Sequence, residues 1–184
     1  MQPSFPKSTN GFTLVELIIL VAIVSILGLF TVNGIASIMH KSRAELAGIG
    51  IVDSLTQARS LALTRESDVV LCPSNDGTSC SGADHWESGW IAFGDIREDG
   101  ERRGNEPTLL AQGPLGSKVH LVSTVGRSRL RFQPTGSNGG SNVTFTLCDG
   151  RGPKYAVSWI MSNKGNLHSA PATAAAAELA CAGG

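Results

Sequence analysis

Charged residues are scarce in this chain, at 16% of 184 positions, and its 15 cationic and 15 anionic side chains cancel. A soluble domain is normally about a quarter charged, so part of this one is built for surroundings other than water. Signatures of catalysis are missing as well: no nucleophile elbow, phosphate loop or pair of catalytic carboxylates occurs. The four His, at 40, 85, 120 and 168, are scattered. Cys72, Cys80 and His85 lack the second close pair that would make a structural metal site. The length is that of one domain. These absences exclude a large multidomain enzyme and leave no cofactor or metal ion expected.

The shortage of charge is concentrated. From Leu17 to Met39 there is no Asp, Glu, Lys or Arg. At 1.5 Å per helical residue the stretch is long enough to cross a ~30 Å hydrocarbon core. A cleaved secretory signal would have a shorter apolar region followed by a small-residue cleavage site, and here the polar and charged residues come first. Lys7 precedes the run while Lys41 and Arg43 follow it, so flanking charge does not orient the segment. Cysteine does: positions 72, 80, 148 and 181 all follow the run, an even count suited to disulfides in an oxidising compartment. Four Cys permit three pairings. The expected one is Cys72 with Cys80 as a local clip and Cys148 with Cys181 tying down the tail.

Glu16 is out of place among Leu14, Val15, Leu17 and Ile18. An uncompensated carboxylate at membrane depth costs about 2.5–3.5 kcal/mol. Its natural partner is a cation at the same depth, and cutting the chain after Gly11 would create one, the α-amino group of Phe12.

Gly11-Phe12-Thr13-Leu14-Val15-Glu16 followed by an apolar run resembles the class III signal of type IV pilins and type II secretion pseudopilins. The resemblance implies that a prepilin peptidase cleaves between Gly11 and Phe12 and methylates the Phe12 amine. It also implies that Glu16 pairs with the Phe12 amine of a neighbouring subunit and sets its register in a filament. Where many members carry a proline, Asn33-Gly34 stand here.

Past Met39, Leu46, Ile49, Leu55, Ala58, Leu61 and Ala62 fall near helical spacing opposite a polar face. One helix from about Phe12 to about Arg65 is expected, with Gly48 and Gly50 as places where it flexes. From Asp68 onward, short β-type runs near 69–72, 90–93, 108–110, 119–122, 130–132, 143–147 and 156–160 alternate with turn residues. They read as an antiparallel sheet. The predicted class is α+β, a type IV pilin-like fold with a long N-terminal helix packed on a β-sheet head. The segments expected are a leader at 1–11, a transmembrane and filament-core helix at 12–40 and its amphipathic continuation at 41–66. A β-rich head at 67–168 and an Ala-rich tail at 169–184, which would fray if the Cys148 to Cys181 bridge did not tie it down, complete the chain.

Gln57-Ala58-Arg59-Ser60, Glu87-Ser88-Gly89-Trp90-Ile91-Ala92-Phe93, the acidic Asp95 to Glu106 turn and Phe145-Thr146-Leu147-Cys148-Asp149 occur in that order. Together they resemble the GspH/FimT group of minor pilins and pseudopilins.

Asp95-Ile96-Arg97-Glu98-Asp99-Gly100 with Glu106 in twelfth place approaches a calcium loop. It fails at Arg97, a cation where an oxygen ligand belongs, and reads instead as a solvated β-hairpin turn. Charge is divided along the head: residues 66–106 hold ten acidic and three basic side chains, and residues 117–168 seven basic and one acidic. Arg127, Arg129 and Arg131 form the densest cationic cluster. Strand alternation would set all three on one face, where they could follow a phosphate backbone. Stacking aromatics are not interleaved with them, as a single-strand platform would want. Some relatives of FimT take up DNA through a GRxR motif after the late Cys. Here Gly165-Asn166-Leu167-His168 occupies that place without either arginine, leaving Arg151, Lys154 and Lys164 nearby.

The reading that results is a non-enzymatic minor pilin in the bacterial inner membrane, single-pass, with a periplasmic head. Its partners would be prepilin peptidase and other major and minor pilins or pseudopilins. The alternatives are a pseudopilin of type II secretion and a DNA-binding pilin for DNA uptake.

Overall fold

The apolar stretch and its amphipathic continuation form one helix, α1 (Leu14–Arg65), in the computed structural model. The structure describes residues 11–104, 106–139 and 142–183, with the side chains of 27–33 excepted. Residues 1–10, which hold most of the expected leader and Lys7, lie outside the described residues, as does the side chain of Asn33. The chain divides into two compact units, Met1–Ile38 and Met39–Gly184.

The first unit holds the start of α1. Its apolar side chains from Leu14 to Ile26 point outward on every side of the helix and are exposed. Among the described residues no helix is long and apolar enough to cross a membrane, residues 27–33 in the middle of the run standing outside that description.

In the second unit α1 is amphipathic. Ala44, Ala47, Ile51, Leu55, Ala58 and Ala62 recur every three or four residues and are buried along one stripe. The helix runs unbroken through Gly48 and Gly50. Gly48 serves close approach rather than bending, because a Cβ there would stand 2.5 Å from the Trp159 ring. Glu66, at φ 51, takes the left-handed conformation that ends the helix.

The strands form two four-stranded antiparallel sheets where the sequence suggested one. The first has the order β3-β2-β1-β5, from Thr108–Gln112, Trp90–Gly94, Val69–Pro73 and Leu130–Phe132. The second has the order β4-β6-β7-β8, from Val119–Ser123, Val143–Asp149, Val157–Met161 and Leu167–Pro171. Inner-face residues of both sheets, among them Leu71, Trp90, Leu130, Leu121 and Phe145, join the helix stripe in one core. Fully burying side chains of this size is worth roughly 1.5–3 kcal/mol each.

The outer face of each sheet has its own small cover. Val70, Cys72, Ile91 and Phe93 cluster beneath Cys80, which is joined to Cys72. Val122 and Cys148 cluster with Ala180 and Cys181 of α2 (Ala174–Cys181), and Cys148 is joined to Cys181. The expected boundary after residue 168 therefore falls inside β8, and the Ala-rich segment is held by its own helix as well as by the bridge. Thr173 caps α2 by accepting the Ala176 N–H, while Ala177 and Ala180 are buried. Small side chains let this short helix lie close on the sheet.

The two bridges close loops of different size, with sequence separations of 33 and 8 residues. Replacing Cys148 and Cys181 by Ser should lower stability by about 3–4 kcal/mol, against about 2.5 kcal/mol for the Cys72 and Cys80 pair. Thermal unfolding of the chain in detergent checks the order, and a larger loss from the shorter loop would contradict it.

Candidate functional site

The functional residues suggested by sequence fall in two places. At the N-terminus, Gly11, Phe12 and Thr13 precede the helix in non-helical backbone and are exposed. The bond between Gly11 and Phe12 is thus accessible and free of helical hydrogen bonding. Glu16 is used at once. Its Oε2 accepts the Thr13 backbone N–H and the Thr13 hydroxyl, both at 3.1 Å, while the Glu16 N–H donates to Thr13 Oγ1 at 3.3 Å. This is a capping box, which satisfies the first free donors of the helix. Sequence reasoning passed over it, although its signal, Thr-x-x-Glu before an apolar run, was present.

A helix that is apolar all round needs apolar surroundings on every side, lipid or other helices. Phe12 is 80% exposed and Leu14 74%, so this end of the chain is left wanting a partner.

The arginine cluster is placed differently from expectation. Strand β5 begins only at Leu130, so alternation does not put Arg127, Arg129 and Arg131 on one face. Pairing of β5 with β1 sets Arg131 opposite Val70 and brings it to Asp68. Arg131 Nε donates to Asp68 Oδ2 and lies 3.9 Å from Asp95 Oδ2. Its Nη2 lies 3.6 Å from Glu98 Oε2, and Arg129 Nη2 donates to Glu101 Oε1 at 3.4 Å. The acidic and basic halves of the head thus meet in this one network. Arg129 and Arg131 face carboxylates of their own chain, so this geometry lends nucleic-acid binding no support.

The turn resembling a calcium loop is not fully solvated, because Asp95 and Glu106 are both buried. Asp95 Oδ2 accepts the Gly100 N–H at 3.0 Å. Glu106 accepts from the Ile96 N–H at 3.1 Å and the Arg103 N–H at 2.8 Å. Both Glu106 oxygens and Asp95 Oδ2 hold the turn closed, while Asp95 Oδ1 is buried without a hydrogen-bond partner. Burial pushes the Asp95 carboxyl above its ordinary pKa, against the Gly100 hydrogen bond and Arg131. Among the described residues no group of three or more His, Cys, Asp or Glu could hold a metal ion.

At the far end of β6, Asp149 is buried and held by Arg151 through contacts of 2.7–3.2 Å. Burial alone would raise its pKa, but the hydrogen bonds and charge of Arg151 outweigh it and hold the carboxyl below the ordinary value. A depressed folded-state pKa gives stability that is complete above the unfolded value of about 3.9 and lost as pH falls through the folded one. Acid unfolding should therefore lose part of its pH dependence below about pH 4 in Asp149→Asn, as followed by circular dichroism. An unchanged acid limb would contradict the assignment.

Comparison with known proteins adds the family. A model described as type II transport protein GspH matches residues 50–165, and one described as the prokaryotic N-terminal methylation motif matches residues 6–32. No curated protein matches the chain. The fold is similar to that of the type IV minor pilin FimU of Pseudomonas aeruginosa, with a TM-score of 0.56 at 16% identity over 78% of this chain and 95% of that one. It is also similar to the minor pseudopilin EpsH from the type II secretion system of Vibrio cholerae, with a TM-score of 0.50 at 12% identity over 72% and 99%.

Proposed function

This chain belongs to the GspH family, whose members are structural subunits rather than enzymes, and on that premise we propose that it is a minor pilin that primes or caps assembly of a type IV pilus. One observation carries the reading: the methylation motif lies at the start of a helix whose apolar side chains from Leu14 to Ile26 are exposed on every side. Prepilin peptidase would cut between Gly11 and Phe12 and methylate the new amine. Before assembly the chain would sit in the inner membrane as a single-pass protein, with lipid around the run from Leu17 to Met39. The disulfide-bonded head would face the periplasm, where such bonds persist. Entry into the filament would exchange lipid for neighbouring helices, with Glu16 and a neighbour's Phe12 amine neutralising each other in the apolar interior. Nucleic acid has no part in this proposal.

A pseudopilin of type II secretion is the second reading, favoured by the description of the matching family as type II transport proteins. Deleting the gene, complementing it and measuring major pilin sheared from the cell surface tests the choice. Loss of sheared pilin, restored by the intact gene, is expected. Normal surface pilin with a defect in protein secretion would replace the pilus reading by the secretion one.

A further inference from the structure

A groove of about 550 Å³ opens between the outward side of α1 and Trp159 of β7. Its walls are apolar. Ile49 is 65% exposed, Val52 and Trp159 are half-buried, and the Trp159 ring is seated against the bare backbone of Gly48, leaving its outer edge to line the groove. The other two tryptophans, Trp86 and Trp90, are fully buried, so a part-exposed Trp is a departure from how this chain treats the residue.

Two carboxylates mark the rim. Glu45 is partnered by Lys41 at 3.7 Å, on the next turn of the same helix. Asp53 accepts only the Gln57 amide, at 2.6 Å, and no cation stands within ion-pair distance of it among the described residues. The groove therefore presents an apolar wall beside an unneutralised negative charge. That combination disfavours a membrane surface, whose anionic headgroups would be repelled. It favours an apolar side chain with a cation adjacent.

We infer that this groove receives a segment of a neighbouring filament subunit in which a large apolar side chain stands beside a lysine or arginine. The apolar group lies against Trp159 and the cation against Asp53. The inference rests on the assembly reading above and adds to it a contact made by the head, separate from the N-terminal signal.

The test uses the full chain in its own cells, with a photoreactive residue at Thr56, which lines the groove, and a control at the exposed Thr64 on the same helix. Irradiation should join position 56, and not position 64, to a different subunit, one that also carries an N-terminal methylation motif. The cross-linked peptide should contain an apolar residue next to a Lys or Arg. Asp53→Lys should lower the yield roughly tenfold, normalised to chain recovered in sheared filaments, and reversing the partner's cation to Glu should restore it. If the chain is recovered in filaments but cross-links at position 56 only to lipid, to a second copy of itself or to nothing, the inference is overturned and the assembly reading stands. The same holds if Asp53→Lys leaves the yield unchanged. If the chain is absent from filaments altogether, the assembly reading fails and the inference fails with it.

Discussion

Glu16→Ala will remove the chain from sheared filaments while leaving it inserted in the membrane at normal abundance. In the proposed filament, cleavage after Gly11 leaves a cationic amine on Phe12 in apolar surroundings, and Glu16 of an adjacent subunit is its counter-ion. Leaving such a charge uncompensated costs about 2.5–3.5 kcal/mol, which corresponds to roughly two orders of magnitude in incorporation. The capping box supplies a rival explanation, since Glu16 also accepts two hydrogen bonds from Thr13. Glu16→Gln separates the two. Gln preserves the Thr-x-x-Gln form of the box but carries no charge. Incorporation lost in both variants assigns the role to charge; incorporation rescued by Gln assigns it to helix capping, and the pairing account fails. Quantitative immunoblots of sheared and membrane fractions supply both numbers.

Trp86→Ala will destabilise the head by about 3–5 kcal/mol, the cost of emptying a large aromatic site in a packed core. Trp86 is fully buried, stands edge-on to Phe145 of the second sheet at 4.9 Å, and lies 6.4 Å from Trp90 of the first. Its backbone N–H donates to the Leu121 carbonyl of β4 at 2.8 Å. One side chain thus fills the space where the two sheets approach, and neither sheet can close over its absence without moving the other. For a domain of this size the loss corresponds to a fall of roughly 6–20 °C in Tm. Trp86→Phe should cost clearly less, because it keeps a ring against Phe145 and deletes an indole N–H that is buried without a partner. A Tm within two degrees of wild type for Trp86→Ala, by about the resolution such measurements allow, would remove Trp86 from this role.

Much of the architecture was legible in local pattern. The start and end of α1 and the approximate positions of seven strands follow from periodicities and turn residues that span a few positions each. Of the expected apolar stripe, Leu55, Ala58 and Ala62 are buried, but Leu46 and Ile49 are exposed and Ala44, Ala47 and Ile51 take the buried places, because small side chains let the helix lie close on the sheets. Local pattern failed where it was read without its context. Gly48 and Gly50 look like weak points in a helix, yet at Gly48 the absent side chain is what Trp159 requires. The segment from Ala170 on looks like a tail without structure of its own, held only by its bridge, because a short run of Ala lacks a strong periodic signal. It is ordered by β8, by the Thr173 cap and by the bond to Cys148.

What the sequence by itself determined is the set of properties carried by neighbours in the chain: the N-terminal motif, the uncharged run, the amphipathic helix and the alternation of strands with turns. Each is a matter of a few adjacent side chains and the backbone preferences they impose. Only the tertiary structure decided that the strands divide into two sheets, that α2 covers one outer face, and that Arg131 meets Asp68 across 63 positions rather than offering its charge to solvent. Those outcomes depend on which distant surfaces exclude water best when packed together. Residues far apart compete for the same partner, and nothing within a local window records which of them wins.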